Sequence, residues 1–175
     1  MYILAIDPSS KSTGIAVYKD KELIEYGCIT AGSSNLFKRI DKIVSGIEEY
    51  LSKYQIELVA IEDVVPDDVH KNNQVFKALM YLQGFIVKKL DEYNLKPTFF
   101  ISSEWRKKCG IRTGRGVYRD SLKPKDIAFV KSQFDLVVND DIADAICIGF
   151  AAVGGEIKNP APEIEVTESG FEFGN

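Results

Sequence analysis

Tyr2, Ile3, Leu4, Ala5 and Ile6 form an unbroken apolar run that stops at Asp7-Pro8. A run this short, bounded by turn residues, reads as a strand buried on both faces. Proline has no N–H with which to continue a ladder. Ser9 to Ser12 make a polar turn, and Thr13 to Val17 restart an apolar strand. The pattern places one carboxylate, Asp7, at the rim of a core and facing a turn. Aspartate is common at strand ends because it forms Asx turns, so Asp7 alone reads equally as a turn former and as a site residue.

A second run repeats the arrangement. Leu58, Val59, Ala60 and Ile61 end in Glu62 and Asp63. Neighbouring strand residues point to opposite faces, so only one of these acids shares the side of Asp7. Between the two runs, Leu36, Ile40, Ile43, Ile47 and Leu51 recur at helical spacing after Ser33 or Ser34, either of which suits a helix cap. A helix leading into a short buried strand predicts a right-handed parallel crossover. That connection would bring Asp7 and Glu62 to one edge. Leu23 to Thr30 completes a meander, and Thr98 to Ile101 supplies a fifth strand. The expected fold class is α/β, with a central mixed five-stranded sheet flanked by helices.

Further helices are expected over Val75 to Leu90, from Ser102 or Ser103 through Arg106, from Pro124 to Phe134, and from Asp140 or Asp141 onward. Gly84 lies inside the first of these, where glycine costs about 1 kcal/mol relative to alanine. A close approach to another helix, within the chain or of a second subunit, would offset that cost. The single histidine, His70, has no partner motif and reads as a surface residue.

Charge narrows the function. The net charge is −4, but residues 154–175 hold Glu156, Glu163, Glu165, Glu168 and Glu172 against Lys158 alone. Residues 1–153 are therefore neutral overall, and 154–175 are expected to form an acidic, poorly ordered tail. Within the domain, Lys96 to Lys125 carries nine basic residues and two acids. A basic segment of that kind is a nucleic-acid footprint that whole-chain charge conceals; a solvated charged loop is the plainer reading. Three scattered cysteines without a Cys-x-x-Cys pair argue against structural zinc and against a secreted disulfide scaffold. With no basic leader and no membrane-length apolar stretch, the expectation is a cytoplasmic protein, in a bacterial cell or a phage-infected host, with no membrane partner.

The last predicted helix carries Asp140, Asp141 and Asp144. Acids at a helix start are ordinary capping and dipole residues. Asp144 is not, because it lies among Ala143, Ala145 and Ile146, where a carboxylate needs a partner.

The segments AIDPSSKSTGIAV, VAIEDV and DDIADAICIGFAA, taken in order, resemble the RuvC-type Holliday junction resolvases of the ribonuclease H-like superfamily. SSEWRKKCGI looks most like phage-type members. The resemblance runs from Met1 to about Val153. It implies a ribonuclease H-like fold and a homodimeric, magnesium-dependent endonuclease of recombination and repair that makes paired cuts in four-way junctions and other branched DNA. It places the family's four acids, as catalytic residues and metal ligands, on Asp7, Glu62, Asp141 and Asp144. Two positions depart from the pattern. Ser9 stands where glycine is common. Val65 stands where many members carry an aromatic wedge, which puts base-step insertion in doubt.

Elementary chemistry agrees with the resemblance. Two carboxylates about 5 Å apart repel by roughly 3 kcal/mol at an effective dielectric near 20, so four in one pocket require cations or bound protons. An all-oxygen donor set suits Mg2+, with Mn2+ as a substitute, and two ions per site are expected. Arg106, Lys107, Lys108, Arg112, Arg115 and Arg119 are the candidate DNA-binding residues. Two other readings use the same features: a related nuclease acting on other branched DNA or on RNA, suggested by Val65, and a non-catalytic branched-DNA-binding protein, suggested by the basic segment.

Overall fold

The fold was analysed in a computed structural model, which describes residues 1–65, 73–114, 119–159, 164–167 and 170–173. Strands β1 (Tyr2–Asp7), β2 (Ser12–Lys19) and β3 (Glu22–Thr30) form the expected meander. Helix α1 (Leu36–Lys53) then leads to β4 (Ile56–Glu62), and α2 (Asn73–Glu92) to β5 (Pro97–Phe100). Three helices follow: α3 (Ser102–Lys108), α4 (Arg119–Phe134) and α5 (Asp140–Ala152). The sheet order is β3-β2-β1-β4-β5. The meander is antiparallel, whereas β1, β4 and β5 run parallel. Ile6 pairs with Ile61, so Asp7 and Glu62 leave the sheet at the same rim, as the crossover argument requires.

The central strands β1, β2 and β4 alternate between two cores. Leu4, Ile6, Ile15, Val17, Val59 and Ile61 pack against α1 and α2. Ile3, Ala5, Ala16, Tyr18 and Ala60 pack against α5 and its neighbours. By alternation Asp7 and Glu62 belong to the α5 side. Asp63 turns away: its N–H bonds the Phe100 carbonyl at 2.9 Å and its Oδ1 accepts from Gln83 on α2 at 3.3 Å.

Two glycines let α5 lie close on the sheet. A Cβ on Gly14 would sit 1.9 Å from the Asp141 carbonyl oxygen, and one on Gly149 would sit 2.3 Å from the Tyr18 ring. Tyr18 fixes the crossing by donating its hydroxyl hydrogen to the Ile146 carbonyl at 2.8 Å. Because Gly14 pairs with Asp7 across β1 and β2, this contact sets the start of α5 directly over Asp7. The turn after Asp7 is held from within and from outside. Thr13 donates to the Ser9 carbonyl at 2.7 Å, and Arg39 of α1 donates to the Ser10 carbonyl at 2.8 Å.

The structure corrects two local expectations. Asn35, not a serine, caps α1, accepting from the Lys38 N–H at 3.2 Å. Helix α4 begins at Arg119 and runs through Pro124, whose missing N–H removes one helical bond just beyond the first turn. Among the described residues nothing lies within 4 Å of a Cβ placed on Gly84, so a close approach there would have to come from a second subunit. Within residues 154–175, Ile164–Thr167 and Gly170–Phe173 pair as antiparallel strands β6 and β7. His70 lies outside the described residues. Among the described residues no helix is long and apolar enough to cross a membrane.

Candidate active site

At the rim shared by β1 and β4, Asp7, Glu62 and Asp144 each offer a carboxylate oxygen within 4.8 Å of the others. Asp7 and Glu62 are half-buried strand ends, and Asp144 comes down from α5, only 9% exposed. Burial, then the charges of Glu62 and Asp141, then a hydrogen bond with Glu62 hold the Asp7 carboxyl well above the ordinary carboxylate range. Burial and the charges of Asp7 and Asp126 push Asp144 up to about 10, against the opposing pull of Arg106. One oxygen of Asp144, Oδ1, is buried with no hydrogen-bond partner. Three crowded carboxylates, two with strongly raised affinity for protons, are the chemistry of a site for a hard cation. The residues present therefore fit magnesium or manganese.

Asp141 does not join this set of three. Its backbone is seated on Gly14 and its charge reaches Asp7, so it stands beside the cluster. The helix is capped by Asn139, whose Oδ1 accepts from the Ile142 N–H at 3.0 Å. Asp140 forms an ion pair with Lys123 of α4. That hydrogen bond lowers the Asp140 carboxyl and raises the Lys123 ammonium. The charges of Asp144 and Asp141 also reach Lys123, which puts one cation at the pocket's rim.

The basic residues divide. Lys107, Lys108 and Arg112 are exposed. Lys108 also donates to the Ala151 carbonyl at 3.3 Å and lies 5.0 Å over the Phe100 ring. Arg115 lies outside the described residues; Arg119 opens α4, its side chain outside the description. Arg106, expected on the DNA-facing surface, is instead buried, at 8% exposure. Its Nε donates to both oxygens of Asp126, at 3.2 and 3.0 Å, and its Nη2 to Oδ2 at 2.8 Å. A buried charge requires such a partner, and the sequence reading had not supplied one.

Asp126 and Lys123 were the residues missed. The signal for Asp126 was present, because Leu122, Asp126, Phe129 and Val130 recur at helical spacing and the other three are apolar. Lys123 has no comparable mark, since it is one of nine basic residues in its segment.

A family model described as crossover junction endodeoxyribonuclease RuvC matches residues 3–151. The chain belongs to the RuvC family. The RuvC of Ehrlichia ruminantium strain Gardel is 28% identical over 158 residues, spanning 84% of this chain and 95% of the relative. That of Citrifermentans bemidjiense is 28% identical over 157 residues, spanning 86% and 90%. Among solved structures, Thermus thermophilus RuvC in complex with Holliday junction substrate superposes with a TM-score of 0.71 at 15% identity, covering 88% of this chain and 93% of that one. The yeast mitochondrial resolvase Ydc2 superposes with a TM-score of 0.56 at 10% identity, covering 87% and 78%. The fold is thus the ribonuclease H-like one of RuvC, with the mixed five-stranded sheet at its centre.

Proposed function

We propose that this chain is a magnesium-dependent endonuclease that cuts four-way DNA junctions by paired phosphodiester hydrolysis. The observation that carries the reading is the meeting of Asp7, Glu62 and Asp144 within 4.8 Å at one rim of a RuvC-family sheet. The T. thermophilus relative, similar over most of the chain, holds a Holliday junction.

Asp7, Glu62 and Asp144, with Asp141 beside them, would hold the metal, and we assign two Mg2+ ions per site, with Mn2+ as a substitute. Bound magnesium supplies positive charge to the phosphate oxygens and makes water a better nucleophile. The protein's own part is placement. Asp7 and Glu62 sit on paired strands, so their separation is fixed before substrate arrives, and α5 sets Asp144 from above. Lys107, Lys108 and Arg112, with Arg115 and Arg119 of the same segment, are assigned to the DNA backbone, where they give affinity without reading sequence. Lys123 adds a positive charge where the scissile phosphate must approach three carboxylates. Incubating a labelled four-way junction with magnesium or with chelator tests the reading. Asp7→Asn and Glu62→Gln should each lower the rate more than about 100-fold, the upper range for residues that merely support metal ligands. Undiminished cutting by either folded variant refutes it.

The proposal includes a homodimer, because paired cuts in a near-twofold junction require two sites in fixed relation. The α1–α2 face supports it. Phe37, Tyr81 and Phe85 are 56%, 50% and 49% exposed, and their rings cluster with centroids 5.8 and 6.5 Å apart. Gly84 beside them leaves room for close approach. Phe85→Asp should convert a dimeric mass in light scattering to a monomeric one; a wild-type monomer with and without junction DNA removes this part.

Val65 favours a second reading, activity on a wider range of branches. It is 53% exposed, where an aromatic wedge would be, and valine has no ring to stack between bases. A panel of junctions, flaps, forks and RNA–DNA hybrids separates the two readings; strict junction preference eliminates the wider one.

A further inference from the structure

Arg106 and Asp126 are two buried charges that the site described above does not use. They come from different helices, α3 and α4, and meet behind Asp144 of α5. A buried ion pair of this kind contributes little net stability compared with apolar residues of the same volume. The reason for this pair is better sought in what it faces.

The guanidinium is held on three sides. Asp126, fully buried, takes its Nε and Nη2 in a fork, and the Trp105 ring lies 4.1 Å from its central carbon. The remaining direction of Nη2 points to Asp144 Oδ2, 3.7 Å away. That is too long for a hydrogen bond and short enough for an ion pair. Asp144 thus has one oxygen turned to the pair and the other, Oδ1, buried without a partner. Were Asp126 absent, the same guanidinium would be free to close on Asp144 and occupy it.

We propose that Arg106 and Asp126 are positioning residues for the cation site: Arg106 orients the Asp144 carboxylate from behind, and Asp126 restrains Arg106 from closing onto it. Asp144 is thereby aligned and left available to a metal ion. The inference rests on the reading of Asp144 as a cation ligand, and it removes Arg106 from the DNA-contacting residues.

The test is Mn2+ affinity, measured by calorimetry on the full-length protein, with thermal melting as the check on folding. Asp126→Asn should weaken manganese binding by about 10- to 100-fold, the range typical of groups that support metal ligands. Adding Arg106→Met to Asp126→Asn should recover part of the loss, because the competing cation is gone. A double variant that binds no better than the single one overturns the proposal. So does a folded Asp126→Asn protein with wild-type affinity. Should Asp126→Asn fail to fold, Arg106→Lys decides. It keeps the charge without the planar fork, and should lose about tenfold in affinity; no loss overturns the proposal. Junction binding in chelator gives a separate readout. If Arg106→Met, which removes the charge, lowers the salt slope by about one, as expected for a lost phosphate contact, and leaves manganese affinity intact, Arg106 is a DNA contact and the proposal falls. A wild-type protein that cuts no junction, yet shows the affinity loss in Asp126→Asn, would remove the nuclease reading and leave this inference standing.

Discussion

On the α1–α2 face of the sheet, Leu4, Ile6, Val59 and Ile61 meet Ile40, Ile43, Leu82 and Ile86, with no buried charged side chain among the described residues. On the α5 face, Asp144, Asp126 and Arg106 are buried in or beside the core, and the half-buried Asp7 and Glu62 lie at its rim. The same three central strands, β1, β2 and β4, serve both faces, with alternate residues turned each way. The first face removes apolar surface from water, which is the main favourable term in folding. The second holds like charges together, which opposes folding unless something neutralises them. The α1–α2 face must therefore supply stability that the α5 face gives up for a binding site.

The largest expected effect on stability breaks the first face alone. Leu82 is fully buried between α2 and the sheet. Leu82→Ala should lower unfolding free energy by about 2–5 kcal/mol in denaturant titration. Manganese affinity of the folded protein should not change. An affinity loss as large as that of a ligand variant would show that the faces are not independent.

A smaller effect, on the second face, comes from Gly14→Ala. The new Cβ would fall 1.9 Å from the Asp141 carbonyl oxygen, so α5 must rise from the sheet. Overpacking of this kind costs about 1–3 kcal/mol. Unlike Leu82→Ala, it should also weaken metal binding, because α5 carries Asp144. Unchanged affinity in the folded variant would mean that the helix seat does not set the site.

The two faces also differ in how far they were legible before the structure. Short apolar runs and helical spacing predict β1 to β5, α1 and the parallel crossover, because each follows from local pattern and from the chirality of the connection. The meeting of Asp7 with Glu62 followed from that topology. Asp144 stood out as an acid in an apolar run. Arg106 was misread because residue type says nothing of a partner: its burial depends on Asp126, twenty residues away on another helix. Asp141 was placed with the other acids by resemblance, yet its carboxylate stands outside the group of three. Side-chain direction at a helix start depends on where the helix is seated, here on Gly14, and no spacing rule contains that distance.

The two faces also respond differently to pH, with the smallest effect of the three. Asp7 and Asp144 bind protons more readily in the folded protein than in the unfolded chain, because burial and neighbouring charge disfavour their ionised forms. Their favourable contribution is complete below the ordinary carboxylate value of 3.8 and is lost as pH rises towards about 10 for Asp144. Metal-free protein should therefore melt at lower temperature at pH 9 than at pH 6, and added magnesium should raise the melting temperature more at pH 9. Asp7→Asn removes one titrating group and one source of repulsion on Asp144. In chelator the variant should be more stable than wild type at neutral pH, by on the order of 1 kcal/mol, the equivalent of about one unit of pKa. Its stability should also vary less with pH. Leu82→Ala, on the other face, should shift the whole curve down without changing its slope. Parallel curves for wild type and Asp7→Asn would mean that the carboxylates do not repel one another in the folded protein, and the contrast between the faces would be lost.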